Sequence, residues 1–243
     1  MSDKKLVIYN MLFKALEYLR NGEVEKAKEM LLEIYEKDSC DLLVSAILYY
    51  LLKKFGEYDK AINMLNNIIK EQKKCPFVYY ELGELYYDLG KFDEALNFIN
   101  KSLDIYEKNL DALILSGKIY FKLGRYLDAL NQFKKAYNLN PKHHTVLNYL
   151  IEINFILGKI SEAKKYIKEA KEINPKDPKL YLLSGVIYNK LGEYEKAIKC
   201  FDYVIEHHPF IPEAWYGKAV ALEKLGKIED ALECYNRFSE LIT

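Results

Sequence analysis

The side chains in this 243-residue chain that could do chemistry are four cysteines, four histidines and many carboxylates. The cysteines are Cys40, Cys75, Cys200 and Cys234, and no two of them form a C-x-x-C pair. A tetrahedral zinc site therefore has no paired thiolates to start from. The histidines occur as adjacent pairs, His143–His144 and His207–His208. Neighbours in sequence do not share a helix face, so neither pair has the i, i+4 spacing of a helical metal site. The glycines are single and widely spaced, which leaves no Gly-rich phosphate loop. No nucleophile can be matched to a base, and the acidic residues recur along solvated faces. The expectation is a protein with no catalytic residue, no metal and no cofactor.

Composition narrows the class. There are 36 basic and 36 acidic residues, half the chain is apolar and 30% is charged, as in soluble globular proteins. A neutral balance argues against nucleic acid, because phosphate binding draws on a basic surplus. No apolar run is long enough to span a membrane. The N-terminal MSDKKLVIYNMLFK has basic residues before an apolar stretch, but Asn10 and Lys14 interrupt it and no small-residue cleavage site follows. A signal peptide is not expected.

The elements that must position any functional surface come from a repeat. Gly22, Gly56, Gly90, Gly124, Gly158, Gly192 and Gly226 stand 34 residues apart. Ala27, Ala61, Ala95, Ala129, Ala163, Ala197 and Ala231 follow them at a constant offset. With each Gly at position 15, the units are 8–41, 42–75, 76–109, 110–143, 144–177, 178–211 and 212–243, preceded by a short lead-in over 1–7. Before each Gly runs an amphipathic stretch such as FVYYELGELYYDL, and after it another such as FDEALNFINKSLDIY. Glycine at the junction supplies the positive φ that ends a helix. Pro76, Pro141, Pro175, Pro178, Pro209 and Pro212 mark the unit ends. A helix of this length, about 21 Å, is marginal alone, so stability must come from stacking each pair on its neighbours. Cys200 and Cys234 fall at the same position of successive units. Stacked helices keep about 8–10 Å between axes, farther than the ~7 Å a disulfide tolerates. Free thiols, a reducing compartment and hence a cytoplasmic location are expected.

This pattern resembles the tetratricopeptide repeat family, whose 34-residue period carries a W-x2-L-G-x2-Y…A-x3-F…P signature. Unit three carries Tyr79, Leu82, Gly83, Tyr86 and Ala95; unit four carries Leu113, Gly117, Tyr120, Ala129, Phe133, Ala136 and Pro141. Unit six carries Tyr181, Gly185, Tyr188, Ala197, Phe201 and Pro209, and Trp215 opens the motif of unit seven. Units one and two match least. The resemblance implies an all-α, right-handed superhelical α-solenoid of seven helix-turn-helix repeats. In the family, position 8 is small because the two helices cross there against the position-20 Ala. Tyr49 and Ile151 break that rule in units two and five, as Asn154 breaks the Tyr rule in unit five, so irregular geometry is expected there.

The resemblance also implies that the first helices line a concave groove through positions 2, 5, 6, 9, 12 and 13. Unit one then offers Tyr9, Phe13 and Leu16; unit two Leu43, Ile47 and Tyr50; unit three Phe77, Tyr80, Glu84 and Tyr87. Unit four offers Lys118 and Phe121; unit five Tyr149, Glu152 and Phe155. Unit six offers Val186 and Asn189, and unit seven Glu213, Tyr216, Gly217 and Val220. Some family members grip a carboxylate tail with lysine at position 5 and asparagine at position 9. Neither residue occurs at its position in any unit here, so that clamp is not expected. The N-terminal half of the groove is apolar and aromatic, which marks a contact site. The alternative for these aromatics is simple packing between first helices. Glu84 and Asp88 lie between Lys53/Lys54 and Lys118/Lys122, a pattern suited to ion pairs between neighbouring helices.

The expected function is a non-catalytic scaffold binding a peptide or partner protein, with no nucleic acid and no membrane. An RNA-binding helical array is the alternative from another class; it would want a basic groove and a period nearer 35 residues. A third reading is self-association as an assembly subunit. Solenoid ends need polar caps, and Tyr235 and Phe238 on the last helix are apolar candidates for a homodimer contact.

Overall fold

Every unit folds as two helices, because each glycine ends one and the residue after it begins the next. The computed structural model describes residues 3–37, 42–72 and 74–242; the side chains of 3–6, 42 and 43 lie outside that description, and so do the expectations placed on Cys40 and on the Leu43 side chain. Fourteen helices and no strands occur among the described residues. The first helices of the seven pairs are α1 (Asp3–Arg20), α3 (Leu42–Lys54), α5 (Pro76–Asp88), α7 (Leu110–Lys122), α9 (His144–Ile156), α11 (Pro178–Lys190) and α13 (Pro212–Lys224). The second helices are α2 (Val24–Lys37), α4 (Tyr58–Glu71), α6 (Phe92–Ile105), α8 (Tyr126–Leu139), α10 (Ile160–Ile173), α12 (Tyr194–His207) and α14 (Ile228–Ile242). The fold is the all-α repeat class expected. The first helix, α1, begins at Asp3, ahead of the first repeat unit.

The turn at Gly90 shows how each pair closes. Its φ of +72° is in the left-handed region. The Gly90 N–H donates to Tyr87 O at 3.0 Å and the Lys91 N–H to Tyr86 O at 2.9 Å. These two bonds satisfy carbonyls that α5 would otherwise leave orphaned. The Lys91 carbonyl then accepts from Ala95 N–H at 3.0 Å and starts α6. The same bonds recur at all seven turns, with φ from 70° to 79°. Pro76, Pro178 and Pro212 open first helices, where the missing N–H costs nothing.

The helices pack as two units, residues up to Leu115 and residues from Ser116 onward. In the first, Leu31, Ile34, Val44, Leu48, Leu52, Leu82 and Leu85 are buried in one cluster. In the second, Phe201 is buried with Ala197, Val204, Ala214 and Ala221. Ala219, Leu222, Ala231 and Cys234 form a further cluster against Trp215, whose indole N–H donates to Pro209 O at 2.8 Å.

Position 8 is small because of a ring or side chain at position 24, more than because of the position-20 Ala. A Cβ on Gly83 would lie 2.5 Å from Ile99 Cδ1 and 3.2 Å from the Ala95 carbonyl. On Gly117 it would lie 2.8 Å from the Phe133 ring. Tyr49 stays buried, with its hydroxyl toward Glu81 of the following first helix. Ile151 is fully buried, and Asn154 is satisfied by donating to Leu150 O at 2.7 Å.

Candidate functional site

The first-helix face of the N-terminal unit is where apolar side chains meet water. On α1, Tyr9, Phe13 and Leu16 are exposed at the i, i+4, i+7 spacing that puts them on one side of the helix. Tyr50 on α3 and Phe77 on α5 are also exposed, whereas Ile47, Tyr80 and Tyr87 are half-buried. Phe13 is 66% exposed and Tyr50 62%, so neither is a core residue. The ring of Tyr87 leans on Phe92, centroids 5.6 Å apart, which ties it into its own repeat.

Charged groups on this face are organised around one lysine. Lys53 Nζ lies 2.6 Å from Glu84 Oε2 and 3.1 Å from Asp88 Oδ2. The ladder of ion pairs expected between α3 and α5 is therefore present. Such part-exposed pairs contribute about 0–1 kcal/mol each and fix register more than stability. Beneath them Glu81 is buried. Burial pushes its carboxyl above the usual carboxylate range; the Tyr49 hydroxyl opposes the rise, the Glu84 charge adds to it, and Lys53 opposes it. Because the fold raises this pKa, the native state holds the proton to higher pH than the unfolded chain does. Its contribution to stability is greatest below the ordinary glutamate pKa of about 4.3 and is lost as pH rises through the raised folded value. Glu81→Gln is expected to be more stable than the parent at neutral pH and to lose that advantage near pH 4. Urea unfolding at both pH values checks this, and an advantage that grows on acidification would refute it.

In the C-terminal unit several expected groove residues pack instead. Tyr149 stacks on the buried Phe133 at 4.6 Å, and Phe121 meets Tyr149 edge-on at 5.4 Å and Tyr126 at 5.5 Å. Lys179 Nζ sits 5.6 Å from the Tyr149 ring centroid. Simple packing therefore describes Phe121 and Tyr149. Lys118, Glu152 and Phe155 are half-buried.

Farther along, the same face is hollow. A cavity of about 450 Å³ lies between α11 and α13, with Val186, Tyr216, Val220 and Phe238 as apolar walls and Gly217 among its lining. Asn189, at one edge, donates from Nδ2 to the Gly217 carbonyl at 2.8 Å, and Glu213 is the one charged lining residue. Phe238 reaches this hollow from α14, its ring 5.3 Å from that of Tyr216. Tyr235 lies 5.9 Å from the same ring and donates to Glu223 Oε2 at 2.8 Å. Both residues assigned to self-association are thus half-buried and turned toward α13. The sequence placed Val186, Gly217 and Val220 on this face, but nothing in it indicated that Phe238 would join them.

A second hollow, about 390 Å³, lies among Lys164, Lys168, Lys171, Lys196 and Tyr188. Two of its lysines are engaged: Glu193 accepts from Lys164 at 2.9 Å and from Lys196 at 2.6 Å. Cys75, Cys200 and Cys234 are free; burial pushes the Cys200 and Cys234 thiols up, away from the thiolate that attacks or ligates. The His143 and His144 rings stack on each other at 5.5 Å. Among the described residues no group of three His, Cys, Asp or Glu could hold a metal ion. No helix there is long and apolar enough to cross a membrane.

Comparison with known proteins places this architecture. Residues 120–187 and 183–239 each match a model described as a tetratricopeptide repeat. Residues 55–136 match the model for the anaphase-promoting complex, cyclosome, subunit 3. No curated protein matches the chain. Among solved structures, a tetratricopeptide repeat protein from Parabacteroides merdae superposes with a TM-score of 0.71 at 18% identity, covering 96% of this chain and 93% of that one. The MamA protein superposes at 0.62 with 25% identity, covering 68% of this chain and 91% of its own. YrrB, described as a TPR protein with an unusual peptide-binding site, superposes at 0.61 with 22% identity, covering 73% of this chain and 91% of its own. With two repeat models meeting across 120–239 and the same glycine-ended helix pairs filling the rest of the period, the chain belongs to the tetratricopeptide repeat proteins.

Proposed function

We propose that the chain is a non-catalytic scaffold, a single repeat domain over residues 8–243, whose first-helix face captures a peptide or partner-protein segment. The observation that carries this is the exposure of Tyr9, Phe13, Leu16, Tyr50 and Phe77 on successive first helices. Water-exposed aromatics on rigid helices supply contact area at low entropic cost. The carboxylates Glu84 and Asp88 on the same face, together with the zero net charge, disfavour RNA as the ligand. A cytoplasmic setting rests on the free thiols of Cys75, Cys200 and Cys234. Affinity capture from native lysate, comparing the parent chain with Phe13→Ser/Tyr50→Ser, tests the reading. Proteins retained by the parent and lost by the variant support it. Proteins retained equally by both would overturn it, and filter binding with mixed RNA would expose the alternative.

Self-association is a second reading, favoured by the outer face of α14. Leu232 is 56% exposed at the position where Leu96 and Leu130 are buried, and Ile228, one turn before it, is exposed too. A second copy covering this patch would form a closed dimer. Light scattering over a concentration series is expected to show a dimer that Leu232→Glu abolishes. A monomer at all concentrations refutes the contact.

A further inference from the structure

The hollow between α11 and α13 differs from the rest of the first-helix face in having room rather than protruding side chains. Its floor differs from that of the other units. Position 6 carries Ile47, Leu115, Tyr149 and Leu183 in other units and Gly217 here. A Cβ on Gly217 would lie 2.3 Å from Phe201 Cζ, so the buried Phe201 ring fills the slot that a position-6 side chain would occupy. The face of α13 is left bare between Val186 and Tyr216, both exposed, and Phe238 closes the far side. About 450 Å³ is enough for a large side chain, and pockets of this size with apolar walls and few polar groups are typical of ligand sites.

Two polar groups give the hollow a direction. Glu213 is exposed at its edge and forms no ion pair among the described residues. Some carboxylates of the C-terminal unit are paired, as Glu193 is with Lys164 and Lys196 and Asp202 with Lys218. Asn189 is held by its Nδ2 bond to the Gly217 carbonyl, and its Oδ1 is buried with no donor among the described residues. An acceptor and an unpaired carboxylate beside an apolar hollow complement a segment that brings an apolar side chain, an N–H donor and a cation.

We propose that this hollow is a specificity pocket for a partner segment in which one bulky apolar residue, leucine, methionine or phenylalanine, lies next to a lysine or arginine. The apolar side chain occupies the space between Val186, Tyr216, Val220 and Phe238. The neighbouring cation pairs with Glu213. The inference rests on the reading of the first-helix face as a peptide-binding surface and names what one part of that face selects.

A random peptide display library panned on the full chain tests it, with Val186→Glu and Glu213→Lys panned in parallel. Val186 is exposed on α11, so its substitution should leave the fold intact, and circular dichroism melts confirm that for both variants. Enriched peptides are expected to share an apolar residue beside a basic one. Labelled copies should bind Val186→Glu about 10- to 100-fold more weakly, the loss expected from one buried apolar side chain. Glu213→Lys should shift enrichment toward acidic neighbours. Enriched peptides without that pattern, bound equally by both variants, would overturn the pocket and leave the peptide-binding reading standing. A library that yields no enriched peptide on any version of the chain would overturn both.

Discussion

Replacing Phe201 by alanine is expected to destabilise the C-terminal unit by about 3–5 kcal/mol, the range for emptying a packed aromatic site. The ring is fully buried among Ala197, Val204, Ala214 and Ala221, all too small to refill the space. It is also wedged between two backbones. A Cβ on Gly185 would lie 2.7 Å from the ring, and one on Gly217 2.3 Å from it. Loss of the ring therefore loosens α11, α12 and α13 together. Thermal unfolding should fall by on the order of 10 °C for a chain of this length. The converse change, Gly217→Ala, should cost about 1–3 kcal/mol by overpacking, and Phe201→Leu in the same chain should recover part of it. A Phe201→Ala chain within about 1 kcal/mol of the parent by urea unfolding would show that the ring is not the wedge described.

Changing Phe13 and Tyr50 to serine together should weaken partner capture by at least about tenfold while leaving the fold nearly untouched. Both side chains are mostly in water in the free protein, so each substitution should change stability by no more than about 0.5 kcal/mol. In a complex that covers them, each would bury apolar area worth about 1.5–3 kcal/mol. Association costs leave only part of this visible. Tyr149→Ser is the contrasting control. That ring stacks on Phe133, so its loss should lower the melting temperature. If Phe13→Ser/Tyr50→Ser melted as low as Tyr149→Ser, the N-terminal aromatics would be core and the binding surface would have to lie elsewhere.

Legibility from the sequence divided along a physical line. The turn glycines could be read because a helix that must stop and reverse needs a left-handed residue, and glycine adopts that conformation without strain. The repeated alanines could be read as well, and Ala27, Ala95 and Ala163 are fully buried at the same position of their units. Requirements of this kind act within one helix pair and recur with the period. The apolar character of the first-helix face was legible too, since Phe13 and Tyr50 project from it as helical spacing dictates.

What each side chain does on that face was not legible. Phe121, Tyr149, Phe13 and Tyr50 are all aromatics at groove positions, with Tyr149 and Phe13 at the same position of their units, yet Phe121 and Tyr149 pack and Phe13 and Tyr50 face water. The difference depends on neighbours in the adjoining unit, such as Phe133 beneath Tyr149. Phe238 is a similar case: on a second helix it read as an outer contact, but its ring turns to Tyr216 and closes a hollow. The sequence by itself determined the number of helix pairs, where they turn and which faces are apolar, because local backbone conformation and periodicity set those. Only the tertiary structure decided which apolar groups are satisfied and where empty space remains. Packing depends on the shapes of residues brought together from different repeats: Gly217 stands where the preceding unit has Leu183, and the Phe201 ring takes the space its side chain would need.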